Sequence, residues 1–525
     1  MIYDVIIVGS GASGLTTAAY LSKAGHKTLL IEKEHHLGGL VNTFTKDGFM
    51  FDGGIRALDD AGALFPMLKQ LSIEIDFLEN PISIGIEDQV LHVDEDPYLT
   101  AYEKLLSDLY PHSKDEIAAI ITDIKDIMHA VKTQYGIKNP IFLDFKEDRD
   151  YFIKVVLPWM LKYVFAVRKL SKKNDPVEDY LLQFTHNQSL VDIIAQHFFT
   201  QTPAFFALSY FNTYQDYVYP RGGTGVLIQK LTHFIKEQGG QIKTGAAVTS
   251  IDLKKKRVKT QDGENFDYRC LVWTADQKML YNTVDLASLT QPDLIEAIQE
   301  RQSLIADKTG NDSVLTVYVS SNLDKDYFAD IATGHFFYTP KREGQSKAGK
   351  IPVSATWEEI RLWLEAFFAL TTYEISIPAL RDESMAPNGK TGLIISVLFD
   401  YQLTKYIYDQ GWDDVFRDLI TRLMIKNLDE TVYPGLGESV IDAFTATPMT
   451  IQEITGSTDG AITGWGFNNQ PMPAESRLIK ITSSVNTPLP NVYQAGQWTY
   501  SPSGLPISLI TGKLAADKVH KRLKK

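Results

Sequence analysis

The stretch from Tyr3 to Glu32 decides the fold, and it reads YDVIIV (3–8), GSGASG (9–14), LTTAAYLSKA (15–24), Gly25 and HKTLLIE (26–32). The first run is short, apolar and rich in β-branched residues, which is typical of a buried parallel strand. The second contains the pattern G-x-G-x-x-G, and the third predicts a helix that ends at Gly25. The last run predicts a second strand that ends in an acid. This order predicts the first β-α-β unit of a Rossmann-type α/β fold.

Each part of this unit has a physical role in binding a dinucleotide. Gly9 permits a tight turn, Gly11 lets the backbone approach a pyrophosphate, and Gly14 lets helix and strand pack closely. The N-terminus of the helix offers free N–H groups and a positive dipole end to phosphates. The carboxylate of Glu32 can accept both ribose hydroxyls of an adenosine and would repel a 2′-phosphate. The stretch therefore predicts a site for an adenine dinucleotide.

Later glycine pairs distinguish between two kinds of dinucleotide. Gly38-Gly39 and Gly53-Gly54 follow Glu32 closely, where a nicotinamide-dependent dehydrogenase would continue into another β-α-β unit. Each pair can bring backbone close to a ligand, which suits the long, extended molecule FAD. Ordinary turn glycines are the alternative for either pair alone. The sequence has no second complete G-x-G-x-x-G unit, so we expect no dedicated NAD(P)H domain.

Composition narrows the class of protein. The 525 residues are 44% apolar and 22% charged with a net charge of −13, which fits a globular protein and argues against a nucleic-acid partner. The single cysteine, Cys270, excludes an internal disulfide, and we expect no metal site because His35-His36 lacks acidic or cysteine partners at ligand spacing. We expect no secretory leader and no transmembrane helix, because the N-terminus enters a strand pattern at once and no apolar run approaches roughly 20 residues. We therefore expect a cytoplasmic protein, with peripheral membrane contact left open.

Two distant segments are interpreted as returns to the nucleotide-binding domain. Residues 219–276 contain YPRGGTGVL, a helical run and the strand CLVWTAD, and residues 491–520 contain the strand NVYQAGQ and a terminal helix that begins after SGLP. We expect a discontinuous Rossmann-type FAD-binding domain of residues 1–75, 215–285 and 480–525. Residues 76–214 and 286–479 then form an inserted α+β substrate domain.

Motifs spanning nearly the whole chain carry a family resemblance. They are DVIIVGSGASGL with IEK, LGGL, FDGG, YPRGGTGVL, WTAD, SIPALRDESMAPNGK (376–390), ATPMTIQEITGSTDGAITGWG (446–466) and YQAGQ followed by SGLP. With these motifs the chain resembles the phytoene desaturase, carotenoid isomerase and retinol saturase group of the amine-oxidase-like flavoproteins. The resemblance implies noncovalent FAD and chemistry at carbon–carbon bonds of a long apolar substrate.

The resemblance also implies which residues contact the cofactor. Matched motif by motif, they are Gly9, Gly11, Ser13, Gly14, Glu32, Lys33, Gly38, Gly39, Gly54, Val248, Gly496, Leu505 and Pro506. The early motifs would hold the ADP half, Val248 would meet the adenine through its backbone, and Gly54 would lie near the isoalloxazine ring. Gly496 and Leu505-Pro506 would contact the ribityl and flavin portion. Unlike many relatives, the chain lacks a glycine-rich turn before its last helix and carries Trp498 and Tyr500 beside the expected flavin.

The segment 151–173 reads YFIKVVLPWMLKYVFAVRKLSKK and is apolar, aromatic and rich in lysine. One interpretation is an amphipathic surface that rests on a bilayer and receives an apolar substrate from it. The other is a buried helix of the substrate domain, broken at Pro158, whose lysines extend to solvent. We favour the buried helix because such stripes are more often core. For a second aromatic run, 357–368, two roles are open: it lines a substrate channel, or it simply packs against the rest of the fold.

Three functions remain open on the sequence. The first is hydride transfer between an apolar substrate and flavin N5, as desaturation, saturation or isomerisation. Arg56, which follows Gly53-Gly54, is the candidate catalytic residue, either stabilising negative charge on reduced flavin or binding a substrate carboxylate. A structural salt bridge is its alternative role. The second function is amine oxidation beside Trp498 and Tyr500, and the third is a non-enzymatic lipid carrier that retains its flavin. The electron donor or acceptor is left open.

Overall fold

The computed structural model of the protein describes residues 2–93, 98–143, 148–477 and 480–525. Its strands, in chain order, are β1 Ile2–Val8, β2 Thr28–Ile31, β3 Thr43–Lys46, β4 Phe49–Asp52, β5 Phe77–Glu79, β6 Ile82–Ile86, β7 Gln89–His92, β8 Val218–Pro220, β9 Gln241–Lys243, β10 Val248–Asp252, β11 Arg257–Thr260, β12 Asn265–Trp273, β13 Ser313–Ser321, β14 His335–Thr339, β15 Tyr373–Ser376, β16 Thr391–Phe399, β17 Val440–Ala446 and β18 Val492–Gln494.

The α-helices of the described residues follow the same chain order. They are α1 Ala12–Lys23, α2 Leu64–Leu71, α3 Tyr98–Leu109, α4 Lys114–Tyr135, α5 Arg149–Tyr151, α6 Leu157–Leu170, α7 Val177–Leu181, α8 Gln188–Ala195, α9 Ala204–Ala207, α10 Tyr210–Thr213, α11 Val226–Glu237, α12 Gln277–Thr283, α13 Pro292–Ala306, α14 Lys325–Ala329, α15 Trp357–Leu370, α16 Tyr401–Asp409, α17 Asp413–Asp429, α18 Leu436–Ser439, α19 Pro448–Thr455, α20 Ile481–Ser484 and α21 Leu505–Leu523.

The first sheet is built around the N-terminal strand. Its order is β10-β11-β12-β1-β2-β9, and β18 also pairs with β12. Strand β1 runs parallel to both of its neighbours. Val5 and Ile7 pack on one face with α1, α11 and α21, while Ile6 and Val8 pack on the other. Because both faces are covered, β1 is apolar without alternation, as its sequence predicts.

The second sheet is mixed and has apolar side chains on one face. Its order is β17-β13-β16-β15-β14-β6-β7, with β6 parallel to β14 and the other pairs antiparallel. Phe336, Tyr373 and Ile395 pack against α15 and α17 on that face. The aromatic run 357–368 lies in α15 and contributes Leu364 and Phe368 to this core, so it packs against the sheet.

The predicted α/β fold, with a Rossmann-type unit assembled from distant segments, is confirmed. All strands of the first sheet lie within residues 1–75, 215–285 or 480–525. Those of the second lie within 76–214 or 286–479. A small antiparallel ribbon of β5 and β8 links a segment of each set.

The segment 151–173 differs from the favoured prediction. The expectation that Pro158 breaks the helix is wrong, because Pro158 lies in the first turn of α6 and the two residues before it, Val156 and Leu157, keep helical backbone angles. A π-helical turn, Phe152–Val156, leads directly into α6. Ala166 and Leu170 pack into a helical core with α4, but the opposite side of the segment is exposed. Of the helices described, none combines the length and apolarity needed to cross a membrane.

Candidate active site

A large cavity extends from the glycine loop after β1 to the second sheet. Its volume is about 1440 Å³, and its wall includes Gly11 at one end and Glu374 at the other. Ordinary small-molecule sites occupy roughly 300–1,000 Å³. The cavity therefore has space for a dinucleotide together with a second molecule.

The glycine loop forms a cradle whose shape depends on the absence of side chains. A Cβ atom on Gly14 would lie 2.0 Å from the carbonyl oxygen of Gly9, so helix and strand can approach only with glycine there. A Cβ on Gly11 would meet no protein atom within 4 Å, and Gly11 borders the cavity. Helix α1 begins at Ala12 without a side-chain cap, leaving N–H groups of its first turn available to a ligand. The cradle fits a pyrophosphate.

Glu32 lies in the cavity wall at the end of β2, as predicted for a ribose-binding acid. Its Oε2 accepts hydrogen bonds from the N–H and the Oγ–H of Ser10, both at 2.7 Å, and its Oε1 accepts one from the N–H of Glu34 at 3.0 Å. An ionised carboxylate offers about four acceptor positions. The arrangement leaves room for one further hydrogen bond, on Oε1, rather than for two.

The cavity brings together most of the residues singled out in the sequence. Those in its wall are Gly9, Gly11, Ser13, Glu32, Lys33, Gly38, Gly39, Gly54, Arg56, Val248, Trp498, Tyr500, Leu505 and Pro506. Gly14 and Gly496 lie behind this wall instead. The N–H of Gly496 donates to Thr511 Oγ1 at 2.9 Å, and a Cβ there would lie 2.8 Å from Ser13 Oγ. These two glycines act by allowing close packing, while contact of the others with a cofactor stays a prediction.

Arg56 is buried at the junction of the two sheets, with 5% of its surface exposed. Its Nη1 donates to the carbonyl oxygens of Asp52 and Gly54, and its Nη2 donates to Ser396 Oγ at 3.1 Å. Among the described residues no carboxylate forms a salt bridge with it, and its Nε has no hydrogen-bond partner. The guanidinium thus joins the Gly54 loop to β16 as a cation that has no directly paired acid.

A polar cluster on the second sheet was missed by the sequence analysis. Glu374 of β15 lies opposite Ser396 of β16, and His335 Nε2 is 3.0 Å from Glu374 Oε1. Asn80 Nδ2 is 3.3 Å from His335 Nδ1, and Arg381 Nη1 donates to Asn80 Oδ1 at 2.9 Å. The sequence gives one signal for this cluster, which is a single Glu or His within an apolar strand. That signal does not show that Glu374 and His335 lie on neighbouring strands.

Hydrogen-bond roles within this cluster follow from Arg381, which can only donate. Asn80 must therefore accept with its oxygen and donate with its nitrogen to His335 Nδ1, so that His335 carries its proton on Nε2. Burial lowers the pKa of His335, which keeps the ring neutral. Burial alone would raise the pKa of Glu374, but the hydrogen bond from His335 and the charges of Arg56 and Arg381 lower it overall. The resting pair is a neutral imidazole and a carboxylate.

Aromatic side chains form most of the chamber between the cradle and this cluster. They include His197, Phe198, Phe205, Phe206, Tyr210, Tyr214, Tyr217 and Phe337. Tyr217 stacks on His335 with ring centres 5.9 Å apart and an interplanar angle of 6°. Burial raises the pKa values of Tyr214 and Tyr217 well above their usual range, so both stay neutral. Such a wall suits an apolar ligand.

Asp59 is a further acid of the cavity wall. It is half-buried, and this burial, with help from nearby Asp60 and Asp216, raises its pKa to about 6. An acid whose pKa is higher in the folded than in the unfolded chain destabilises the fold wherever it is ionised. That penalty is absent below the usual pKa of 3.8, grows as the pH rises to about 6, and is constant above.

Replacing Asp59 by asparagine is expected to remove this penalty. At pH 7 the Asp59→Asn protein should be more stable than the unmodified protein by about 1–3 kcal/mol, and the difference should vanish near pH 4. Chemical unfolding at several pH values measures it. Asp307→Asn is the control, because 75% of the Asp307 side chain is exposed. This variant should show no comparable gain in stability at pH 7 over pH 4. A difference for Asp59→Asn that is equal at pH 4 and pH 7 would contradict the assignment.

Two alanine substitutions separate the roles of the loop glycines. Gly14→Ala should destabilise the protein by about 1–3 kcal/mol, because its Cβ overlaps the Gly9 carbonyl. Gly11→Ala should leave stability nearly unchanged but should weaken dinucleotide binding, because its Cβ enters the space next to the helix N-terminus. Thermal unfolding of cofactor-free protein and the amount of cofactor retained on purification check both. Full cofactor retention in Gly11→Ala would argue against the cradle.

Comparisons with known proteins agree with this geometry. Two solved structures share the fold along the full chain, an oxidoreductase from Methanosarcina mazei and a cyclohexylamine oxidase from Brevibacterium oxydans. The first has a TM-score of 0.61 at 14% identity, covering 99% of this chain and 100% of the other. The second has a TM-score of 0.59 at 12% identity and covers 100% of both chains. At these identities the two structures establish the fold alone.

Sequence comparisons identify the family of this chain. The chain is 23% identical to 4,4′-diapophytoene desaturase (4,4′-diaponeurosporene-forming) from Staphylococcus aureus strain COL, over 99% of each protein. This similarity confirms the resemblance to phytoene desaturases. The family model described as flavin containing amine oxidoreductase matches residues 12–319, more than half of the chain. The protein therefore belongs to the flavin-containing amine oxidoreductase family.

Proposed function

We propose that the protein is an FAD-dependent oxidoreductase acting on carbon–carbon bonds of a long apolar substrate of polyene or isoprenoid type. The observation that carries the proposal is the continuity of the cavity, which joins the glycine cradle to the aromatic chamber without an intervening wall. The similarity to a diapophytoene desaturase supports the choice of substrate class. Desaturation, saturation and isomerisation all fit this arrangement.

The residues that would hold FAD are those of the cradle. Gly11 and the first turn of α1 would contact the pyrophosphate, Glu32 a ribose hydroxyl, and Val248 the adenine. Bound FAD supplies hydride exchange at its N5 atom. The chain itself orients the apolar substrate and excludes water. Neutral Tyr214 and Tyr217 add no charge that would need solvation.

Amine oxidation is the second candidate, and a specific observation favours it. The carboxylate of Glu374 faces the cavity and could pair with an ammonium group, and the fold is shared with a cyclohexylamine oxidase. The cations near Glu374 weigh against this candidate, because Arg56 and Arg381 already compensate its charge.

Anaerobic mixing of purified protein with carotenoids, retinoids, unsaturated fatty acids and amines tests the proposal. We expect a polyene to change the flavin absorption band and to yield a product differing by two hydrogens or in double-bond geometry. Peroxide formation in air that depends on amines, without change in any polyene, would establish amine oxidation instead. Flavin that responds to no substrate or reductant, with lipid copurifying, would identify a carrier.

We further propose that the exposed side of the segment 151–173 rests on a lipid bilayer, from which the apolar substrate enters. Its exposed apolar residues are Ile153 (49%), Leu157 (47%), Met160 (50%), Val164 (60%) and Phe165 (73%). Four of them recur at helical spacing and so share one face. Exposed Lys162, Arg168 and Lys172 flank this stripe, and Tyr151, Val167 and Leu170 on the same segment border the cavity. A basic, apolar face at a cavity mouth suits an anionic bilayer.

Two aspartate substitutions at exposed valines test the bilayer contact. Val164→Asp lies on the stripe, and Val415→Asp makes the same change in α17, where the valine is 51% exposed. Val164→Asp should weaken cosedimentation with vesicles of phosphatidylcholine and phosphatidylglycerol by about tenfold, because an apolar side chain no longer enters the bilayer. Val415→Asp should bind like the unmodified protein. Equal binding by both variants, or none by the unmodified protein, would contradict the proposal.

A further inference from the structure

The carboxylate of Glu374 has an unused acceptor inside the cavity. Oε1 is engaged by His335, whereas Oε2 has no hydrogen-bond partner among the described residues. Glu374 lies on an inner strand of the second sheet, with β14 on one side and β16 on the other. Nevertheless 34% of its side chain is exposed. Because Glu374 belongs to the cavity wall, that exposed surface faces the cavity.

The cluster behind Glu374 fixes the character of this acceptor. The chain of hydrogen bonds from Arg381 through Asn80 to His335 delivers an N–H to Oε1 and leaves Oε2 as a pure acceptor. An acceptor that a bound ligand covers and shields from water is unfavourable unless the ligand donates a hydrogen bond to it. The free position therefore selects a ligand group that donates a hydrogen bond.

Charge balance decides which donor fits. Two guanidinium groups, Arg56 and Arg381, act on Glu374, and Asp52 acts on Arg381. Asp52 is fully buried and accepts hydrogen bonds from Thr43, Tyr219 and Thr224, as an ionised carboxylate does. Within this cluster two cations stand against two anions, and Asp59 of the same cavity acts on Tyr217 together with Glu374. A ligand carboxylate would face Glu374, and a ligand ammonium beside Glu374 would lie close to the guanidinium groups of Arg56 and Arg381, whereas a hydroxyl adds no charge.

The surroundings decide what the hydroxyl is attached to. Tyr217 stacks on His335, and His335 lies 5.1 Å from the Phe337 ring, so rings flank the polar cluster. Phe337 is the cross-strand partner of Glu374 and also borders the cavity. A polar acceptor at the end of an aromatic chamber matches a molecule that is apolar along its length and polar at one end.

From this geometry we infer that Glu374, held by His335, is a binding site for the hydroxyl group of a long apolar alcohol. The cavity then distinguishes an alcohol from the corresponding hydrocarbon, amine and carboxylate. This inference deepens the proposed function by naming the polar end of the substrate. It rests on that proposal only in taking the ligand to be long and apolar, and binding can be measured without turnover.

Dodecan-1-ol and its methyl ether provide the test, since both carry the same chain and an oxygen but only the alcohol has an O–H. Their affinities for the flavin-loaded protein are measured by displacement of a fluorescent polyene from the cavity. The alcohol should bind at least about tenfold more tightly, as expected for a hydrogen bond to a charged acceptor. Dodecylamine and dodecanoate should both bind more weakly than the alcohol at pH 7.

Glu374→Gln should abolish the preference for the alcohol. The N–H of His335 would then meet the amide oxygen, so that the amide NH₂ faces the cavity as a donor. Alcohol and ether can both accept from it, and their affinities should become equal to within about twofold. Ile375→Val changes the next residue of β15, which packs on the opposite face of the sheet, and should keep the preference.

Three results would overturn the inference, each without reference to catalysis. They are equal binding of alcohol and ether by the unmodified protein, tighter binding of the amine than of the alcohol, and an alcohol preference that survives in Glu374→Gln. The comparison in the unmodified protein stands even when Glu374→Gln fails to fold. A protein that prefers the alcohol but leaves every polyene unchanged would refute the proposed function and leave this site intact.

Discussion

The buried carboxylate of Asp52 is the interaction on which the rest of the structure depends. It lies at the end of β4 and accepts hydrogen bonds from Thr43 on the neighbouring strand β3 and from Tyr219 and Thr224, which lie 167 and 172 residues further along the chain. The guanidinium carbon of Arg381 lies 4.0 Å from the centre of the Tyr219 ring, and this contact extends the cluster to the second sheet. A buried charge is tolerated only when it is fully hydrogen-bonded. The hydrogen bonds and ring contact of this acid therefore join the segments of the glycine cradle to the second sheet beside a common cavity.

The parts of this protein that the sequence predicts are local in the chain. From Tyr3 to Glu32, every element needed for the dinucleotide cradle follows in order, and the spacing of the glycines is set by contacts within that unit. The contact of Gly14 with the Gly9 carbonyl and the open space beside Gly11 agree with the roles inferred from the motif. The motifs FDGG and YPRGGTG can also be recognised in the sequence. Only the fold shows that Asp52 of the first motif accepts a hydrogen bond from Thr224 of the second.

The parts that the sequence does not predict depend on pairing between distant strands. Glu374 and Ser396 become neighbours through the register of β15 and β16, and His335 reaches Glu374 from β14. The spacing of these residues along the chain does not reveal that they lie close together in the fold. In the sequence, Glu374 is therefore only an acid within an apolar strand and does not indicate a site. The exposed apolar stripe of the segment 151–173 differs from the expected buried helix for a related reason. Its residues are apolar at helical spacing, and whether such a face is covered depends on what packs there.

One measurement tests the central claim, that a dinucleotide and a long apolar molecule occupy a single continuous cavity. Purified flavin-loaded protein is titrated with dodecan-1-ol, which has no double bond to react, while the flavin absorption spectrum is followed. A shared cavity predicts a saturable change in the flavin band at the concentrations at which the alcohol binds. Binding of the alcohol with an unaltered flavin spectrum would show that the two sites are separate and would contradict the account.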